Sequence, residues 1–429
     1  MQKWKDDEMK FGKGYEFLMM VLIAGCLLCG CEKRKSESEN RIAGNTKEIK
    51  DINQEAREQW EKGYDLPLEA TEQEEVATEC KEMMKKIQDI YQSADKGTAS
   101  NAVLQDETML EMQKAMMETG SPVSVTVPYS DMENYEKADR FLIDCEKGKS
   151  GSVIIYDVHQ DGGIGRMKFN YDGTDMYVVS TSGVWMEGDK PGIAYMSYTR
   201  IKEWKYTDNG WFCYELCVPE PPEVTEIMDG SQMIRVKPRT EEQREMSKLC
   251  VQSIGYQGNN LLCSNWNLDN LDVLDYNGLY EYLYRMKYGE RFPSEKYQEG
   301  IPKEEFESLI MEYLPVSVEN LQQYAEFDEK TNRYTWAPLG CGNYDPNFFG
   351  TSVPEVVEVR ENPDSTVTLT VNAVCDMVIC DDALITHDLT VKFKEDGSFQ
   401  YLGNEIRKED RNNVPEYQYR VKGEIRNGS

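Results

Sequence analysis

The feature that most constrains this chain is a change in the spacing of its apolar residues, and the change happens twice. Val76, Cys80, Met83, Ile87, Ile90 and Ala94 recur at helical spacing until Gly97. Asp106–Glu118 and Met132–Lys147 repeat that period, each followed by a glycine stop. From Ser152 the period becomes two. Val153–Val158, Gly165–Tyr171, Asp175–Ser180, Tyr198–Thr207 and Trp211–Val218 read as strands rich in aromatic and β-branched residues. Gly162-Gly163, Asp172-Gly173 and Asp208-Asn209-Gly210 supply the positive φ that tight hairpins need. Pro219-Glu220-Pro221-Pro222 cannot continue a central strand and predicts a boundary.

The order then repeats without repeating the sequence. Thr240 with Gln243 predicts a capped helix, as Thr71 with Glu74 does in the first half. Leu279–Tyr288 and a helix opened by Pro302 follow. Strands are expected at Arg333–Trp336, Glu355–Arg360, Thr366–Val374, Leu389–Lys394 and Ser398–Leu402. Helices in runs followed by strands in runs define an α+β chain, not the alternating pattern of a parallel sheet. The expected division is residues 67–222 and 239–408 as two units, with a polar tail over 409–429. Each unit resembles, in the order of its elements, the cystatin or nuclear-transport-factor folds, in which a curved sheet cradles helices.

Ahead of the first unit stands Phe17–Cys31, FLMMVLIAGCLLCGC. The run is short of the roughly 20 apolar residues that span a bilayer, and it suits the apolar core of a secretory signal. Leu28-Cys29-Gly30-Cys31 resembles the bacterial lipobox, which implies cleavage before Cys31 and acylation of its sulfur. Ile23-Ala24-Gly25-Cys26 is the competing match, and Met9 is an alternative start that would leave a more basic leader. The expectation is therefore a signal peptide over 1–30, a tether and solvated helix over 31–66, and a membrane-anchored protein outside the cytoplasm.

A net charge of −30 argues against a nucleic-acid partner and against adsorption on anionic lipid, leaving the anchor to hold the protein alone. Removing Cys26 and Cys29 with the signal and assigning Cys31 to lipid leaves 9 of the 12 cysteines, so at least one thiol stays unpaired within the molecule. Cys213 and Cys217, about 13 Å apart along one strand, cannot bond to each other.

Motifs for chemistry are scarce. Asn265-Trp266-Asn267-Leu268-Asp269 opens like a calcium loop, but Asn270 and Tyr276 stand where glycine and glutamate belong, so turn formation competes with metal binding. Cys375, Cys380 and His387 could be drawn together by zinc, against the commoner reading of buried thiols. GxSxG, HExxH and a phosphate-cradling glycine loop are absent from the sequence. No catalytic residue, metal or cofactor is assigned. The expected role is a non-catalytic module that binds a protein, a wall component or a small ligand. The alternative is a surface hydrolase working from acidic residues in a concave sheet.

Gly255-Tyr256-Gln257-Gly258-Asn259-Asn260 and Pro338-Leu339-Gly340-Cys341-Gly342-Asn343-Tyr344 resemble an uncharacterised group of Gram-positive lipoproteins. That resemblance implies no activity. The binding surface is expected on the long connection Ala337–Pro354, where Tyr344, Phe348 and Phe349 are large rings in a glycine-rich stretch. Asn259 and Asn260 are expected to add polar orientation beside them.

Overall fold

The computed structural model describes residues 60–98, 101–340, 349–375 and 383–421. The signal segment with Cys26 and Cys31, most of the tether, and Cys341, Tyr344, Phe348 and Cys380 lie outside the described residues. Of the unit Met1–Glu61 only the last two residues are described; Lys62–Ser429 forms one compact unit.

The protein is α+β. Its first half carries helices α1 (Ala70–Ser93), α2 (Asp106–Met117) and α3 (Glu136–Glu146). The short strand β1 (Val123–Val125) separates α2 from α3. There follow β2 (Gly151–Val158), β3 (Ile164–Tyr171), β4 (Met176–Met186), β5 (Lys190–Tyr206), β6 (Trp211–Leu216) and β7 (Ser231–Arg235). All seven strands form one sheet in chain order, antiparallel except for β1, which runs parallel to β2. The alternation read from the sequence assigns the two faces. On β2, Val153 and Ile155 join Phe141, Leu142 and Phe212 in the core beneath α3. Tyr156 and Val158 join Met84, Ile87 and Met112 beneath α1 and α2. Helices thus cover both faces. Helix α1 approaches closely because Gly183 has no side chain: a Cβ there would lie 2.8 Å from Met84 Sδ and 2.9 Å from Cys80 Sγ. The methionines of α2 are core residues in this packing, as their spacing suggests.

The second half opens with α4 (Glu241–Met246), continued by a π turn over Ser247–Val251. Helices α5 (Tyr276–Tyr288), α6 (Lys303–Tyr313) and α7 (Val318–Tyr324) follow. Strands β8 (Ile301–Pro302), β9 (Phe327–Asp328) and β10 (Arg333–Tyr334) make a small three-stranded sheet. The meander β11 (Val353–Glu361), β12 (Val367–Val374), β13 (Thr386–Phe393) and β14 (Phe399–Ile406) closes the fold. One continuous apolar cluster fills this half, with Phe306, Leu309 and Ile310 of α6 facing it as their spacing requires.

Four expectations change. The capping box holds at Thr240, whose Oγ accepts from Gln243 N at 3.1 Å while its own N donates to Gln243 Oε1 at 2.9 Å. It does not hold at Thr71, because α1 begins one residue earlier, at Ala70, and lacks a side-chain cap. Pro219–Pro222 interrupts the sheet without ending it, since the chain returns as β7 to pair with β6. The segment 414–420 is no free tail: Val414 and Tyr417 pack on the second-half core. Helix α7, whose N-cap Ser317 accepts from Asn320 N, was not expected.

The two halves meet across a polar seam. Glu355 on β11 is buried and paired with Arg235 of β7 at 2.5 Å and Arg239 at 3.6 Å. Asp131 receives Arg239 and Arg244, and the Tyr129 hydroxyl donates to Pro354 O.

Candidate functional site

Residues 255–260 leave the π turn through two left-handed glycines, Gly255 at φ +63° and Gly258 at φ +74°. Only glycine fits at 258, where a Cβ would stand 2.5 Å from Arg420 Nη2 and 2.6 Å from the Tyr282 hydroxyl. The two asparagines hold the loop. Asn259 Nδ2 donates to Ile254 O at 2.9 Å and its Oδ1 accepts from Leu261 N at 3.1 Å. Asn260 Nδ2 donates to Val273 O and its Oδ1 accepts from Asp275 N, both at 2.8 Å. Both side chains are buried and occupied by main-chain groups. The polar edge expected of them is turned inward, because burial of an amide demands such partners.

Tyr256 points into a sealed relay. Its hydroxyl lies 2.8 Å from His387 Nε2, and His387 Nδ1 lies 2.6 Å from Asn404 Oδ1. Asn404 Nδ2 donates to Leu262 O and Ser264 O, which fixes its oxygen toward the histidine. His387 therefore carries its proton on Nδ1 and accepts from the tyrosine at Nε2. Burial pushes the imidazole down to about 4, against the opposing bond to Asn404, and pushes the Tyr256 hydroxyl well above its ordinary range. Both His387 nitrogens are used, so the imidazole is unavailable to a metal joining Cys375 and Cys380. His159, in the other half, pairs with Asp157 at 3.3 Å.

The segment after residue 348 rests on this floor. Phe349 is buried and packs edge-on against Tyr256, with ring centroids 5.4 Å apart. Gly350 sits so close to Gln257 that a Cβ would fall 1.7 Å from Oε1. The end of the glycine-rich connection and the Gly255–Asn260 loop are thereby in direct contact.

A second cluster adjoins the loop. Arg420 Nη1 donates to Glu281 Oε2 at 2.7 Å, and Nη2 donates to the Tyr282 hydroxyl at 3.1 Å. Trp336 Nε1 donates to the same Glu281 oxygen at 3.2 Å. Asp275 caps α5 through Gly278 N at 2.8 Å and accepts from the Tyr417 hydroxyl at 2.7 Å. Burial raises the Asp275 carboxyl, partly offset by those two bonds. Sequence reading missed this cluster. The signal available was the alternation Tyr417-Gln418-Tyr419-Arg420-Val421, a strand-like pattern inside a stretch read as polar tail.

The calcium-like stretch is spent on turns. Asn265 Oδ1 accepts from Ile406 N, Asn267 Oδ1 from Asp269 N and Asn270 Oδ1 from Asn267 N. Among the described residues no group of three or more His, Cys, Asp or Glu side chains is placed to hold a metal ion. Among the described residues Cys80, Cys145, Cys217, Cys250 and Cys375 are buried free thiols, and Cys213 and Cys263 are buried as well. Among the described residues no helix is long and apolar enough to cross a membrane.

A seven-stranded helix-covered sheet joined through a charged seam to a four-stranded meander defines an α+β protein with a sealed polar centre in its second half. The chain belongs to a family of unknown function (DUF6070), which matches residues 73–420. The match spans both halves and ends on Arg420, so the segment carrying Tyr417 and Arg420 lies within the family unit. It agrees with the expectation of an uncharacterised family. Neither a curated protein nor a solved structure matches the chain.

Proposed function

We propose that this protein is an exported lipoprotein, held at the extracytoplasmic face of the cell membrane by acylated Cys31, and that it works as a non-catalytic binding module. The observation that carries the reading is Phe17–Cys31 followed by a polar tether and then by a compact unit from Lys62. A short apolar segment ending in a lipobox-like cysteine is what an anchored extracytoplasmic domain requires. The binding surface is the connection Ala337–Pro354, with Tyr344 and Phe348 as apolar contacts and Phe349 seated on Tyr256 as its foot. The negative charge of the mature chain favours a basic partner over nucleic acid.

The hydrolase alternative needs paired carboxylates facing a cavity. The buried carboxylates described here are tied to donors instead: Glu355 to two arginines, Asp275 to Tyr417 and Gly278 N, and Glu307 to Tyr334 and Gln322. That bonding favours the binding reading.

Mass spectrometry of the mature N-terminus tests the anchor, with acyl chains expected on Cys31; chains on Cys26, or a bare end, would refute the assignment. Affinity capture from cross-linked cells tests the surface. Tyr344→Ala with Phe348→Ala should abolish capture with little change in melting temperature. An early-melting double variant whose capture falls only with stability would make the loop a structural cover.

A further inference from the structure

Arg420 lies beyond the last strand, yet its side chain is only 1 % exposed. A long cation is rarely buried so fully unless a site is shaped for it. The surroundings meet that condition. Glu281 supplies the counter-charge at 2.7 Å, and Trp336 Nε1 donates to the same carboxylate oxygen at 3.2 Å. The Tyr282 hydroxyl accepts at 3.1 Å while the Tyr282 ring lies 5.4 Å from the guanidinium carbon. Ala337 O lies 3.5 Å from Nη1. Gly258 leaves the remaining wall open: a Cβ there would stand 2.5 Å from Nη2 and 3.0 Å from Nε. Acid, aromatic ring, carbonyl and missing side chain together fit a flat guanidinium, whereas a lysine would offer a point charge without the planar fork.

The resident arginine does not use the site completely. Its Nε is buried with no hydrogen-bond partner among the described residues. A buried donor left unmet weakens the hold of the segment that carries it. Besides Arg420, that segment is held by the Tyr417 hydroxyl on Asp275 and by the packing of Val414 and Tyr417 on the core. An occupant held by its own chain and imperfectly satisfied is exchangeable, and the strongly acidic chain attracts a cationic competitor.

We propose that the pocket formed by Glu281, Tyr282, Trp336 and Gly258 is an arginine-recognition site, filled here by Arg420 of the same chain and taken by an arginine side chain of a partner peptide when residues 414–420 lift away. The proposal goes beyond the binding role argued above. It uses none of residues 341–348 and holds whether or not Cys31 is acylated.

The test uses the full chain and the fluorescent tetrapeptide Gly-Tyr-Arg-Gly, with Gly-Tyr-Lys-Gly and Gly-Tyr-Ala-Gly as controls. Arg420→Ala should bind the arginine probe at least about tenfold more tightly than the parent protein, and the lysine and alanine probes at least about tenfold more weakly than the arginine probe. Adding Glu281→Gln to that variant should abolish binding. A folded Arg420→Ala protein that ignores the arginine probe, or binds all three alike, overturns the proposal and leaves Arg420 as a staple of the fold. Should Arg420→Ala fail to fold, Tyr417→Phe decides: it loosens the segment and leaves Arg420 in place. Several-fold tighter binding of the arginine probe by Tyr417→Phe supports exchange, and unchanged binding overturns it.

Discussion

His387 accepts a hydrogen bond from Tyr256 at 2.8 Å across 131 residues of sequence, joining the Gly255–Asn260 loop to strand β13. The second nitrogen donates to Asn404 on β14, so one neutral imidazole ties a loop and two strands. Neutrality is the condition of this arrangement, because a buried imidazolium would face no counter-charge within the relay.

That condition predicts a pH dependence. Unfolded, His387 takes up its proton near 6.5; folded, it does so only near 4. The unfolded state therefore binds more protons between these values, and stability present above pH 6.5 is lost as pH falls toward 4, by ~3 kcal/mol. His159 opposes this: burial pulls it down, but Asp157 more than compensates and leaves it raised, so its contribution is present below pH 6.5. Thermal melts from pH 7 to pH 5 should show a loss that steepens in His159→Gln and flattens in His387→Gln. An unaltered slope in His387→Gln would remove the histidine from the account.

Glu355→Gln should be among the most damaging single changes in the seam. It leaves Arg235 and Arg239 buried without their shared carboxylate, a loss of about 3–5 kcal/mol for a broken buried pair. Urea unfolding measures it. A change under about 1 kcal/mol would mean that water or Asp131 takes over the pairing.

Gly350→Ala tests the seating of the glycine-rich connection. The new methyl would collide with the buried Gln257 side chain, at a cost of roughly 1–3 kcal/mol. Gln257→Ala in the same chain should recover much of that loss. Additive losses in the double variant would show that the two residues do not touch.

Proteolysis near Ile227, which is 91 % exposed, should nick the chain between β6 and β7. The fragments should stay together under native conditions, because across the cut β7 remains paired with β6 and Asp131 holds Arg239 and Arg244. Separation on native size-exclusion chromatography would make the seam too weak to unite the halves.

Periodicity alone marked the long helices and strands, though not α7, β7 or the shortest strands. Strand β2 alternates and α1 repeats at helical spacing because each has one invariant geometry, and local pattern reports it directly. The cap at Thr240 was legible for the same reason, since donor and acceptor lie three residues apart. The tertiary structure decided what distance in sequence conceals. That β7 rejoins the sheet after the prolines depends on pairing with β6, and that His387 is neutral depends on a tyrosine 131 residues away. Arg420 reads as tail in the sequence because its partner Glu281 lies 139 residues earlier. Asn259 and Asn260 look like ligand-facing amides until the fold surrounds them with carbonyls and N–H groups that must be paired. Side-chain chemistry was visible throughout; which groups share a dry space is fixed only when the chain closes on itself.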